Sequence, residues 1–190
     1  MVDQSYQKQL QIEGNLKENQ IEIDKLNLLI TKRQFGQSSK QVIKAYKLVL
    51  QNQQQDILQF LQINLEYLQY LFKHKAYKSS KIINQMINIS KIYDETGQFQ
   101  KALQYSLEAL NLSTERYKDN HYILVNSFIK VSKSYQMLKE YQKSEEAISK
   151  ALLIYSTLSR GYKKVNKKDL YEIMDDLDQI EDQILDIQLY

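Results

Sequence analysis

The chain has 190 residues, with 26 Lys+Arg against 23 Asp+Glu, 4 glycines, 2 histidines, 15 tyrosines and no cysteine, proline or tryptophan. This rules out a disulfide framework, a thiol nucleophile, Cys-ligated zinc and a multi-histidine metal site, and the isolated Gly14, Gly36, Gly97 and Gly161 cannot form the clustered loop that cradles phosphates. No apolar run approaches the ~20 residues that cross a bilayer, and the opening MVDQSYQKQL lacks a hydrophobic signal core, so the expectation is a soluble intracellular protein without cofactor or metal.

Without proline and with few glycines, the chain has few helix breakers, and its Leu, Gln, Lys, Glu and Ala favour helix. Residues 5–33 carry Ile12, Leu16, Ile23, Leu26 and Ile30 at heptad-type spacings, with Asn19 on one seam position. The pattern predicts a long amphipathic, coiled-coil-like helix within residues 1–36. Gly36 can take positive φ and end it, and Ser38 or Ser39 can cap the next helix. Residues 39–54 and 56–74 then read as a degenerate helical hairpin, with apolar faces at Val42, Tyr46 and Val49 and at Phe60, Tyr67, Leu68 and Leu71.

An internal repeat follows. Residues 84–116 match residues 126–158 at a shift of 42: Met86 with Phe128, Ile89 with Val131, Ser90 with Ser132, Tyr93 with Tyr135, Phe99 with Tyr141, Ala102 with Ser144, and Ala109 with Ala151. Each copy reads as a hairpin. Bulky residues line one face of its first helix, Gly97 supplies the left-handed residue at the turn, and small residues let the two helices approach closely. A hairpin built this way leaves an apolar face that only a neighbouring hairpin can cover. Beyond Gly161 the sequence turns basic at Lys163, Lys164, Lys167 and Lys168. It then repeats Leu170, Ile173, Leu177, Ile180, Ile184 and Ile187 with 3-4-3-4-3 spacing. We read that stretch as a helix capping the array, the alternative being a coiled coil with another chain.

At Met86, Ile89-Ser90, Tyr93, Gly97, Phe99, Ala102 and Ala109, and at the corresponding residues of the second copy, the sequence resembles the tetratricopeptide repeat family. Lys139 stands where the second copy would have glycine, Thr114 stands at the terminal proline position, and no tryptophan is present. The period of 42 exceeds the ~34 residues of the commonest form and is similar to the kinesin-light-chain type, whose linker Arg116–His121 also resembles; His121 is then a helix-start residue. The resemblance implies an all-α superhelix of hairpins. Its parts would be a long N-terminal helix (1–36), about three hairpins (37–160), and a basic linker with an acidic capping helix (161–190).

The charge is lopsided. From Asp169 onward there are 8 acidic residues and no Lys or Arg, which leaves 26 bases against 15 acids before it, or +11. The basic run from Arg160 to Lys168 reads as a solvated linker beside the acidic helix, and Asp175, Asp176, Asp178, Glu181 and Asp182 as that helix's solvated face. His74 has no plausible catalytic partner and is expected to be exposed at a helix end, so no catalytic constellation emerges.

The resemblance further implies that first helices line the partner groove, which nominates Asn84, Asn88, Lys91, Asn126, Lys130 and Lys133. Amides can satisfy both N–H and C=O of an extended peptide, and ammonium groups attract its carboxylates. Asn88 and Lys130, with Lys44 as a third, also stand at positions of the clamp by which some family members hold chaperone C-termini, although Leu48 and Asn126 depart from it. The functional expectation is a non-catalytic protein-interaction scaffold that binds an acidic or extended segment or subunits of a larger complex, without membrane insertion. The alternatives are a structural subunit of a cytoskeletal, motor or axonemal assembly, and RNA binding through the basic region. The expected location is cytoplasmic, cytoskeletal or ciliary.

Overall fold

A computed structural model describes residues 20, 22–34, 40–52, 57–74, 79–117 and 121–161. Among them all regular structure is helical: α1 (22–34), α2 (Lys40–Asn52), α3 (Ile57–Lys73), α4 (Ser79–Glu95), α5 (Phe99–Arg116), α6 (Tyr122–Met137) and α7 (Tyr141–Gly161). Two compact units are distinguished, Met1–Tyr70 and Leu71–Tyr190. The expected start of the N-terminal helix, the basic run beyond Gly161 and the acidic capping helix lie outside the described residues.

In the first unit α2 buries Val42, Ile43, Tyr46 and Val49, one helical stripe, and α3 buries Leu61, Ile63, Tyr67, Leu68 and Tyr70. The two stripes meet through aromatic rings, with Tyr46 5.1 Å from Tyr67 and 5.4 Å from Tyr70 between ring centroids. Helix α1 joins them by one side only. Leu28 and Asp24 are buried, Gln20 donates to Asp24 at 3.0 Å, Lys25 donates to Gln59 at 2.8 Å, and the Lys32 ammonium lies over the Tyr46 ring.

The second unit contains the two repeats, α4/α5 and α6/α7, with further contacts of α5 and α4 against α6. In the first copy the bulky first-helix positions Met86, Ile89 and Tyr93 are buried as the spacing predicts; in the second Val131 is buried, but Phe128 and Tyr135 are half-buried, and Ile129 beside Phe128 is buried instead. Each fully buried aliphatic side chain here contributes roughly 1.5–3 kcal/mol. Small residues set the closeness of the helices. Ser90 Oγ donates to the Ala102 carbonyl at 2.7 Å; one repeat later, Ser132 Oγ donates to the Ser144 carbonyl at 3.0 Å and Ser144 Oγ returns a bond to the Ser132 carbonyl at 3.1 Å. Only side chains this short let a hydroxyl reach the backbone of the facing helix.

Helix α5 carries a wholly buried small-residue stripe, Ala102, Ser106, Ala109 and Ser113. The hydroxyls of Ser106 and Ser113 are satisfied within their own helix, at the Leu103 and Leu110 carbonyls (2.8 Å each). At the corresponding positions α7 has Ser144, Ile148, Ala151 and Tyr155. The difference follows from neighbours: α5 packs against both α4 and α6, whereas among the described helices α7 packs against α6 alone. There Ile148, Ala151 and Leu158 join Val125 and Ile129 in a core that Phe128, Leu152 and Tyr155 flank.

Both repeats turn in the same way. Gly97 has φ +72° and Lys139 φ +60°. In the first turn Gln98 N–H donates to the Tyr93 carbonyl (2.8 Å) and Gly97 N–H to that of Asp94 (3.0 Å); in the second, Glu140 donates to Tyr135 (2.9 Å) and Lys139 to Gln136 (2.8 Å). This paired pattern is the Schellman closure of a helix, with a left-handed residue at its centre.

Candidate partner-binding face

The nominated residues recur on α4 and α6 at i, i+4 and i+7, as Asn84, Asn88 and Lys91 and as Asn126, Lys130 and Lys133. They fall between the buried core positions of each helix, and α4 and α6 touch directly. Asn84, Asn88 and Lys91 are exposed, while Asn126 and Lys133 are half-buried. Lys130 differs: it is 4% exposed, and its ammonium pairs with the Asp94 carboxylate of α4 across the two repeats.

The charges acting on Lys130 are Asp94, Lys91 and Lys133. Burial lowers the Lys130 pKa, which outweighs the bond and attraction from Asp94, and repulsion by Lys91 and Lys133 lowers it further. The Lys130 ammonium, paired with Asp94, thus feels two further ammonium groups, Lys91 and Lys133, at the junction of the first helices. Asp94 Oδ2 meets Lys130, but its Oδ1 is buried without a hydrogen-bond partner. At the corresponding place the second repeat has Gln136, whose Nε2 is also buried and unpartnered.

Sequence reasoning missed Asp94. The residue lies three positions after Lys91, on the same helical face, and its partner is 36 residues away. Its one visible signal is a carboxylate beside the buried Tyr93, where the second copy has a neutral amide. The repeats share another cation contact, with Lys101 over the Tyr93 ring at 5.4 Å and Lys143 over Tyr135 at 5.5 Å.

His121 caps α6, its Nδ1 accepting from the Ile123 N–H at 3.2 Å, and its ring stacks against Tyr122 at 4.7 Å. Burial holds its pKa below the ordinary value. His74, expected to be exposed, is instead half-buried just past α3. Among the described residues no helix is long and apolar enough to cross a membrane, and no three His, Cys, Asp or Glu side chains gather as a metal site would require.

No family model matches the sequence, and no curated protein matches it. Solved structures do match. BtubC (BKLC) from P. vanneervenii superposes with a TM-score of 0.67 at 14% identity, over 90% of this chain and 68% of that one. Kinesin light chain TPR-like repeats of Podosopora anserina superpose with a TM-score of 0.58 at 10% identity, over 93% of this chain and 89% of theirs. A substituted form of the same repeats gives 0.59 at 9%, over 93% and 88%. At such identities the likeness concerns architecture, and with the repeated hairpins, small-residue contacts and turns it establishes an all-α, tetratricopeptide-like helical repeat fold.

Proposed function

We propose that this protein is a non-catalytic interaction scaffold that holds an acidic, extended segment of a protein partner along the α4/α6 face. The observation that carries the reading is the run of positive charge at the α4/α6 junction, where Lys91 and Lys133 act electrostatically on the Lys130 ammonium that pairs with Asp94. Lys91 and Lys133 would attract partner carboxylates, while the exposed amides of Asn84 and Asn88, with Asn126, would hydrogen-bond its backbone. Lys130 contributes its field from beneath, as a buried charge fixed by Asp94. The use of His121 as the cap of α6 supports the non-catalytic part.

The test is fluorescence anisotropy with a labelled glutamate-rich peptide, repeated over a range of salt concentrations. Binding that weakens with salt, and that Lys91→Glu with Lys133→Glu abolishes while far-UV circular dichroism stays unchanged, is the expected result. Equal binding by the reversed-charge chain would refute it. The likeness to kinesin light chain repeats favours one second reading, a fixed cytoplasmic subunit of a cytoskeletal assembly. That reading predicts a chain that aggregates when expressed alone.

A further inference from the structure

The junction between the two repeats shows what a following first helix supplies to the one before it. Where α6 follows α4, Met86 and Tyr93 of α4 are buried, and Asp94 accepts the Lys130 ammonium of α6. The same positions of α6 are less complete. Phe128 and Tyr135 are half-buried, and Gln136, in the place of Asp94, has its amide nitrogen buried with no hydrogen-bond partner. Leu152 and Tyr155 of the adjoining α7 are half-buried as well. A buried donor without an acceptor is costly, so this face lacks one group of defined chemistry, an oxygen that can accept. We infer that residues 170–177 of this same chain dock against α6 and α7 as α6 docks against α4 and α5, and that the Glu172 carboxylate accepts from Gln136 Nε2.

The period of 42 selects the occupant. One further shift carries Phe128 to Leu170, Val131 to Ile173 and Tyr135 to Leu177, so the three bulky first-helix positions recur a third time. The same shift carries Lys130 to Glu172 and Lys133 to Asp175. The polarity changes in step on both sides. Where the acceptor Asp94 meets a lysine, the donor amide of Gln136 meets a glutamate; an acid kept at 136 would have set two carboxylates against each other. Lys133 adds to the match, since its counterpart Lys91 repels Lys130 at the first junction, whereas Lys133 would attract Glu172 at the second.

The connection also fits. The chain from Tyr155 to Leu170 has the same length as that from Ser113 to Phe128, so it spans the same step from second helix to following first helix. Met174 departs from Ser90 and Ser132, but those hydroxyls bond the second helix of their own hairpin, a contact that docking on the preceding repeat does not use. The same residues of a second copy could offer the same chemistry. Tethering by a short stretch of chain, however, holds this chain's own segment at a far higher effective concentration beside the face.

Charge exchange in the full chain tests the pairing, with urea midpoints read by circular dichroism. Gln136→Asp sets a carboxylate against Glu172 and should lower the midpoint, and Glu172→Lys sets an ammonium against the Gln136 amide and Lys133 and should lower it too. The chain carrying both recreates the Asp94–Lys130 pair and should return to the native midpoint. Two losses that merely add overturn the inference. A nitroxide on Asp175→Cys, selective because the chain has no cysteine, gives a second reading. It should broaden the backbone amides of Lys133 and Gln136 within one chain and spare that of Asn84. Broadening found only between chains, in mixtures of spin-labelled and isotope-labelled protein, overturns the inference, as does none at Gln136.

Discussion

Lys139 occupies the left-handed turn position that its counterpart Gly97 fills without strain, and the two sites form a matched pair for experiment. At Lys139 the backbone has φ +60°, and the side chain is exposed. The turn is held by two backbone bonds, Glu140 to Tyr135 and Lys139 to Gln136, which any residue can make. Relieving the Cβ clash in Lys139→Gly should gain about 1–2 kcal/mol, against a loss of about 0.5–1 kcal/mol for the extra freedom of glycine in the unfolded chain. The net is a stabilisation of about 0.5–1 kcal/mol, or roughly 1–4 °C in Tm for a chain of this size.

Gly97→Ala should do the reverse. Its φ is +72° and a Cβ there meets nothing within 4 Å, so the cost is the backbone's alone, again about 0.5–1 kcal/mol. The variant carrying both changes should return close to the native value, because the sites share no contact and their effects add. Urea unfolding followed by circular dichroism reads all three midpoints. A Lys139→Gly chain less stable than the native one, or a Gly97→Ala chain of undiminished stability, would refute the equivalence of the two turns.

Ala109→Leu should overpack α5, which is covered by α4 and α6, and cost ~1–3 kcal/mol; Ala151→Leu, with α6 as the described neighbour of α7, should cost less, and thermal unfolding compares them. Asp94→Ala strands the buried Lys130 ammonium beside Lys91 and Lys133 and should cost roughly 3 kcal/mol, whereas Asp94→Leu with Lys130→Met should restore most of that in the same urea assay. Burial holds the His121 pKa down, so the unfolded chain takes up this proton more readily. The stability carried by neutral His121 is complete above the unfolded value of ~6.5 and is lost as pH falls through the lower folded value. Thermal midpoints between about pH 7.5 and 5 should therefore fall less steeply for His121→Asn, whose amide caps without titrating.

Much of the second unit was legible because one copy of the repeat checks the other. Ser90 and Ser132, Ala109 and Ala151, and Gly97 and Lys139 each mark a position twice, and all six fall where the pattern puts them. The hairpin over 39–54 and 56–74 appears as Lys40–Asn52 and Ile57–Lys73, since apolar stripes fix helix faces even in a degenerate copy. The candidate face was read less completely. Helical spacing says which positions leave the core of their own hairpin, but not which the next hairpin covers. Lys130 is therefore buried and Asn126 half-buried, while Asp94 entered no motif. The one-sided packing of α1 was hidden for the same reason: the heptad spacing marks a seam without saying whether the chain itself fills it.

The most direct test of partner capture is to follow backbone amide shifts of the isotope-labelled chain while a glutamate-rich extended peptide is added at low salt. The account predicts shifts concentrated at Asn84, Asn88, Lys91, Asn126 and Lys133, saturating together and receding with salt. Shifts confined to the basic stretch Lys163–Lys168, or none at all, would contradict it.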